Sequence, residues 1–132
     1  MKYLLDTNII SYWMRGDTVL MDKIKSHSPS DLSLSTITLA EILYGIEKSP
    51  VRKEERTIKI KQILSVIALY PFDEAAAREY AVIRSNLEKS GNVISERDTQ
   101  IASIGLANQL VVVTHNLSEF TRIEKLEVED WA

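Results

Sequence analysis

The apolar positions of the chain change period along its length, and those changes mark out its elements. Tyr3-Leu4-Leu5 is a short apolar run ending in Asp6, which reads as a buried strand with an acid at its carboxyl end. Short helices are expected around Ile9 to Met14 and Val19 to Ile24, with Arg15-Gly16-Asp17 as the turn between them. Ser28-Pro29-Ser30-Asp31 is a loop, and Leu32-Ser33-Leu34-Ser35 alternates apolar and small polar residues as a strand does. Another helix opens over Thr38 to Glu41. From about Lys53 to Ala68, Ile60, Ile63, Leu64 and Ile67 recur at i, i+3, i+4 and i+7 and form one apolar stripe. Leu69-Tyr70-Pro71-Phe72 is then extended, because Pro71 stops a helix, and Asp73 stands ready to cap the next. Ala76, Tyr80, Ile83 and Leu87 follow at helical spacing as far as Gly91, which suits a left-handed cap. Ile101, Ile104 and Gly105 mark a further helix. Leu110-Val111-Val112-Val113 is a continuous apolar run of the kind buried in a parallel sheet, and Leu126-Glu127-Val128 adds a final edge strand. Strands alternating with helices predict a parallel sheet covered on both faces, an α/β layered fold.

Length sharpens this picture. The 132 residues suffice for one domain, residues 1–132, with a single well-buried core. The composition, 45% apolar and 27% charged, is that of a soluble globular chain, and no stretch approaches the roughly 20 apolar residues of a membrane span. The chain turns acidic at Asp6 before any secretory-length apolar run develops, so a cytoplasmic protein without a membrane role is expected. With no cysteine, disulfides, zinc–thiolate sites and thiol nucleophiles are excluded, which leaves hard oxygen ligands as the metal chemistry on offer. A net charge of -3 is no global attractant for nucleic acid. Locally, Arg52, Arg56 and Lys59 line up at i, i+4 and i+7 with Lys53 and Lys61 beside them, a basic helix face that reads first as solvated and second as a contact for an acidic partner or a phosphate backbone.

The candidate chemistry lies in four acids far apart in sequence: Asp6, Glu41, Asp98 and Glu119. Asp6 and Asn116 follow strands directly, and Glu41 and Asp98 are expected in the first turns of helices. In a parallel sheet all strand carboxyl ends lie on one rim, where ligands bind near the reversal of strand order, so this pattern permits the four to converge. Each also has a plain structural reading. Asp6 can cap the first helix, Thr38-x-x-Glu41 and Ser95-x-x-Asp98 have capping-box spacing, and Glu119 can be a loop residue. Carboxylates within about 5 Å of one another would repel by roughly 3 kcal/mol per pair at an effective dielectric near 20, so a real cluster calls for a cation. Mg2+ suits it, with Mn2+ as substitute, since both take hard oxygen ligands and support phosphodiester hydrolysis by activated water. His27 and His115 have no partner at metal-ligand spacing, Trp13 and Trp131 read as core or interface, and no Gly-rich phosphate loop is present.

These blocks together resemble the PIN-domain ribonucleases, and within them the VapC toxins of toxin–antitoxin pairs. The resemblance rests on Leu4-Leu5-Asp6-Thr7-Asn8-Ile9, on Ser33 to Gly45, on Ile94 to Ala102, on Val112-Val113-Thr114-His115-Asn116 through Phe120, and on the tail at Glu129-Asp130-Trp131, and so covers essentially the whole chain. It implies a three-layer α/β/α sandwich with a central, mainly parallel sheet. The activity it implies is that of a Mg2+-dependent endoribonuclease, with Asp6, Asp98 and Glu41 as metal ligands and Glu119 as the fourth catalytic carboxylate. Thr7, Asn8, Thr114 and Asn116 would stand beside them, against substrate or against the acids. RNA, a VapB-like antitoxin and a second copy of the chain are the implied partners. Two other readings stand beside this one. A phosphatase using Asp6 as nucleophile lacks a second Asp two residues on, where Asn8 stands; a catalytically decayed PIN-like module would bind RNA or a partner without cutting.

Overall fold

The computed structural model describes residues 2–131. Five strands, β1 (Tyr3–Leu5), β2 (Leu32–Ser35), β3 (Ala68–Tyr70), β4 (Val111–Val113) and β5 (Val128–Glu129), form one sheet in the order β3-β2-β1-β4-β5. Every neighbouring pair is parallel. The helices are α1 (Thr7–Met14), α2 (Thr18–Lys25), α3 (Thr36–Lys48), α4 (Lys53–Val66), α5 (Glu74–Ser90), α6 (Glu96–Ala107) and the short α7 (Leu117–Phe120). Strand order reverses around β1: the chain first builds outward to β3, then returns through α5 and α6 to place β4 on the other side.

The period-two geometry of a strand divides the core in two. Leu5, Leu32, Leu34 and Val113 face Ile9, Trp13, Leu20, Ile42, Ile60 and Ile63 from α1 to α4. Leu4 and Val112 point the other way, onto Ile83, Leu87, Ile101 and Ile104 from α5 and α6. The result is the expected three-layer α/β/α sandwich. Both sheet faces being covered, β2 is buried at all four positions, polar ones included. Ser33 remains satisfied there because its hydroxyl donates to the Tyr3 carbonyl at 2.6 Å. Trp13 and Trp131 both lie in the first core, and Trp131 closes it by packing on Tyr3 and stacking on His27 at 4.5 Å between ring centroids.

Several boundaries differ from the periodicity reading. The helix expected to reach Ala68 stops at Val66, and Ala68 instead opens β3 against Ser33 of β2; sheet pairing overrides alanine's intrinsic helix preference. The final strand falls at Val128–Glu129 rather than at Leu126, whose side chain packs into the second core. α3 begins at Thr36, with Ser35 accepting from the Thr38 N–H at 3.0 Å, so Thr38 is not the cap and Glu41 sits in the second turn. The basic face of α4 is not simply solvated either. Arg56 donates to the carbonyls of Gly45 at 3.0 Å and Ser49 at 2.6 Å, which satisfies the exposed C-terminus of α3. Gly105 is required where α6 crosses β4: a Cβ there would lie 2.9 Å from the Val112 side chain.

Candidate active site

The site is assembled where β1 and β4 end side by side, at the reversal of strand order. Asp6 leaves β1 with its N–H donating to Val113 of β4 at 3.0 Å. It caps α1, accepting from the Ile9 N–H at 3.1 Å, and is only 4% exposed. Burial pushes its carboxyl above the ordinary range, with the nearby charge of Glu41 adding to the rise. The Thr114 hydroxyl and the Ile9 and Asn8 N–H groups oppose that rise by donating to the charged form. Thr114, fully buried at the end of β4, is thereby a direct partner of Asp6, and its own oxygen accepts from the Asn116 N–H at 2.8 Å. Asn8 presents its backbone to the acid while the residue itself is exposed.

The other acids flank this buried one. Asp98 lies in the first turn of α6, where Ser95 accepts from its N–H at 3.2 Å, so this capping-box spacing does start a helix. Its carboxyl is pushed up to about 7, first by burial, then by the neighbouring Glu119, with a smaller push from Asp6. Asn116 reaches the same carboxyl through Nδ2 at 3.4 Å. Glu119 is carried by α7, an element that periodicity did not announce, and its Oε2 is buried without a hydrogen-bond partner. Glu41, on α3, accepts the Thr7 hydroxyl at 2.7 Å on one oxygen and the Arg97 guanidinium at 3.2 Å on the other. Each acid acts electrostatically on the next, Glu41 on Asp6, Asp6 on Asp98 and Glu119 on Asp98, so that they form a row. Among the described residues, no three histidines or acids converge tightly enough to hold a metal ion as they stand.

The row opens at its Glu41 end into a groove of about 1320 Å³ between α1, α3 and α4, bordered by Arg15, Lys48, Arg52, Lys59 and Arg97. Arg97 is singled out by none of the sequence motifs that mark the four acids. A signal was present, because a cation in the first turn of a helix opposes the helix dipole and needs another reason to be there. Among the described residues no helix is long and apolar enough to cross a membrane.

A profile of the PIN domain matches residues 3–126. The chain belongs to the PIN-domain family. This PIN domain is 32% identical over 131 residues to Ribonuclease VapC2 of Haemophilus influenzae, covering 99% of this chain and 98% of that protein. It is 30% identical over 132 residues to the tRNA(fMet)-specific endonuclease VapC of Shigella flexneri, covering 100% of this chain and 99% of that protein. Its fold superposes on the crystal structure of VapBC2 from Rickettsia felis bound to a DNA fragment from their promoter with a TM-score of 0.92, at 32% identity and 100% coverage of both chains. The similarity thus runs through all four acidic blocks of this PIN domain.

Proposed function

We propose that this PIN domain is a VapC-type endoribonuclease, the toxin of a toxin–antitoxin pair, hydrolysing RNA phosphodiester bonds at the carboxylate row with the help of Mg2+. The observation that carries the reading is the row itself, at the rim of a chain similar over its full length to VapC ribonucleases. The donor chemistry fits a hard divalent cation: the acids offer only oxygen ligands, one Glu119 oxygen is buried with no partner, and burial and the neighbouring Glu119 raise the Asp98 carboxyl to about 7. Asp6, Asp98 and Glu41 would hold the ion, with Glu119 completing the acidic set. When bound, Mg2+ supplies the charge that offsets these carboxylates and stabilises the phosphate oxygens during hydrolysis.

The protein's own residues do the positioning. Thr114 and the N–H groups of Asn8 and Ile9 fix the orientation of Asp6, Thr7 fixes Glu41, and Asn116 holds Asp98 from the α7 side. The burial of Asp6 keeps bulk water from one side of the row, and the basic groove gives a polyanion a path to it. The reading includes a VapB-like antitoxin, in keeping with structural relatives described as VapBC complexes, and a homodimer.

Cleavage of a panel of structured RNAs with Mg2+ or with EDTA, comparing the parent with Asp98→Asn, tests the proposal. Metal-dependent cutting that disappears in the variant supports it. RNA or partner binding without cutting, indifferent to the substitution, favours the decayed binding module.

A further inference from the structure

Arg97 stands where the carboxylate row opens into the basic groove, and its placement has no account in helix stability. It occupies the first turn of α6, against the helix dipole. Its side chain is 67% exposed, so it packs little, yet it reaches across to α3 and donates from Nη1 to Glu41, which is only 24% exposed. Among the described residues only that one of its five N–H groups is engaged, and the rest of the guanidinium lines the groove beside Thr7 and Gln100.

We propose that Arg97 serves two partners in turn: Glu41 while the site is free of metal, and a backbone phosphate of the bound RNA once a divalent cation has taken over the charge of Glu41. The proposal rests on the nuclease reading above. A guanidinium and a cation compete for the same carboxylate oxygen, so binding of the ion releases the guanidinium. Its planar fork then meets a phosphate bidentately, at the point where a strand lying in the groove must enter the row. The pair with Glu41 is weak enough to exchange, because its guanidinium side lies in solvent, where ion pairs contribute little. Arg97 thereby couples metal loading to substrate binding, and it acts on any RNA sequence alike because a phosphate carries no base identity.

Two measurements on the parent, Arg97→Gln and Arg97→Lys decide this. Titration of MgCl2 by calorimetry without RNA should show Arg97→Gln binding Mg2+ about threefold more tightly than the parent, since no guanidinium has to be displaced. Cleavage kinetics should show KM raised about tenfold by Arg97→Gln with kcat within about threefold, and partly restored by Arg97→Lys. The slope of log KM against log salt should fall by about 0.7 to 1, the value for one lost phosphate contact. Unchanged Mg2+ affinity together with unchanged KM and salt slope would overturn the proposal and leave Arg97 an ordinary surface ion pair. Should the parent cut no RNA at all, the nuclease reading fails separately; the Mg2+ titration then still decides the exchange with Glu41, tighter binding supporting it and unchanged binding overturning it.

Discussion

The two ends of the carboxylate row are built on opposite principles. At the Glu41 end the fold supplies the compensation: one oxygen takes a hydroxyl from Thr7 and the other a guanidinium from Arg97. At the Glu119 end compensation is thinner: Asp98 takes a long hydrogen bond from Asn116 at 3.4 Å while facing another acid, and one oxygen of Glu119 is buried with no partner. Buried polar atoms are nearly always paired, so the second arrangement is where, on the proposed function, a bound cation would supply what the folded chain lacks. On the proposed function the ion would draw on acids at both ends, the Glu119 end standing open to it and the Glu41 end being reached by displacing Arg97.

Substituting the acid at the uncompensated end gives the largest expected effect. Asp98→Asn should lower RNA cleavage by about 10³-fold, equivalent to roughly 4 kcal/mol of transition-state stabilisation, without lowering the metal-free melting temperature, because an acid–acid contact is relieved. Cleavage assays and thermal melts on the same sample check both halves, and a variant that loses Tm as well as activity would mean that Asp98 holds the fold rather than the ion.

Next in size is the response to the ion itself. Mg2+ at about 100 times its Kd should add about 2.7 kcal/mol to stability, a rise of roughly 8 to 12 °C in Tm over the protein in EDTA. Equal melting in the two buffers would break the comparison, since nothing would then be missing at the Glu119 end.

A smaller effect is expected from protons alone. The Asp98 carboxyl is raised to about 7, so the folded protein keeps a proton that the unfolded chain releases near pH 4. That stabilisation is complete in acid and is lost as pH climbs towards 7. In EDTA, Tm should therefore fall between pH 5.5 and 7.5, and Glu119→Gln should flatten the slope by removing the charged neighbour. A slope unchanged by Glu119→Gln would place the cause in burial alone. The least effect should come from the compensated end: Thr7→Val removes one hydroxyl bond to Glu41, about 1 kcal/mol, and should weaken Mg2+ binding by less than about tenfold in a calorimetric titration.

Much of the sandwich was legible because strands buried on both faces are mostly continuous apolar runs and because helices alternate with them; Tyr3-Leu4-Leu5 and Val111-Val112-Val113 read as strands on that ground, while β2 buries two serines and reads only by its alternation. The acids were legible for a local reason, since Asp6 follows a strand directly and Ser95-x-x-Asp98 starts a helix. Less legible were positions set by partners distant in sequence. Ala68 joins a strand because β2 lies beside it, and Glu41 sits a turn deeper in its helix than its spacing with Thr38 suggested because Ser35 is the cap. Arg56 reads as one member of a basic stripe, yet its donors are committed to the end of α3.

By itself, then, the sequence determined the layers, the parallel sheet and the places of Asp6 at a strand end and Asp98 at a helix start, because hydrophobic period and helix caps are properties of neighbouring residues. Only the tertiary structure decided that Glu119 would press on Asp98, that Thr114 would hold Asp6 and that Arg97 would answer Glu41. Those contacts depend on how separate helices and strand ends are seated against one another, and a carboxyl's proton affinity depends on burial and on charges a few ångströms away, which no local pattern encodes.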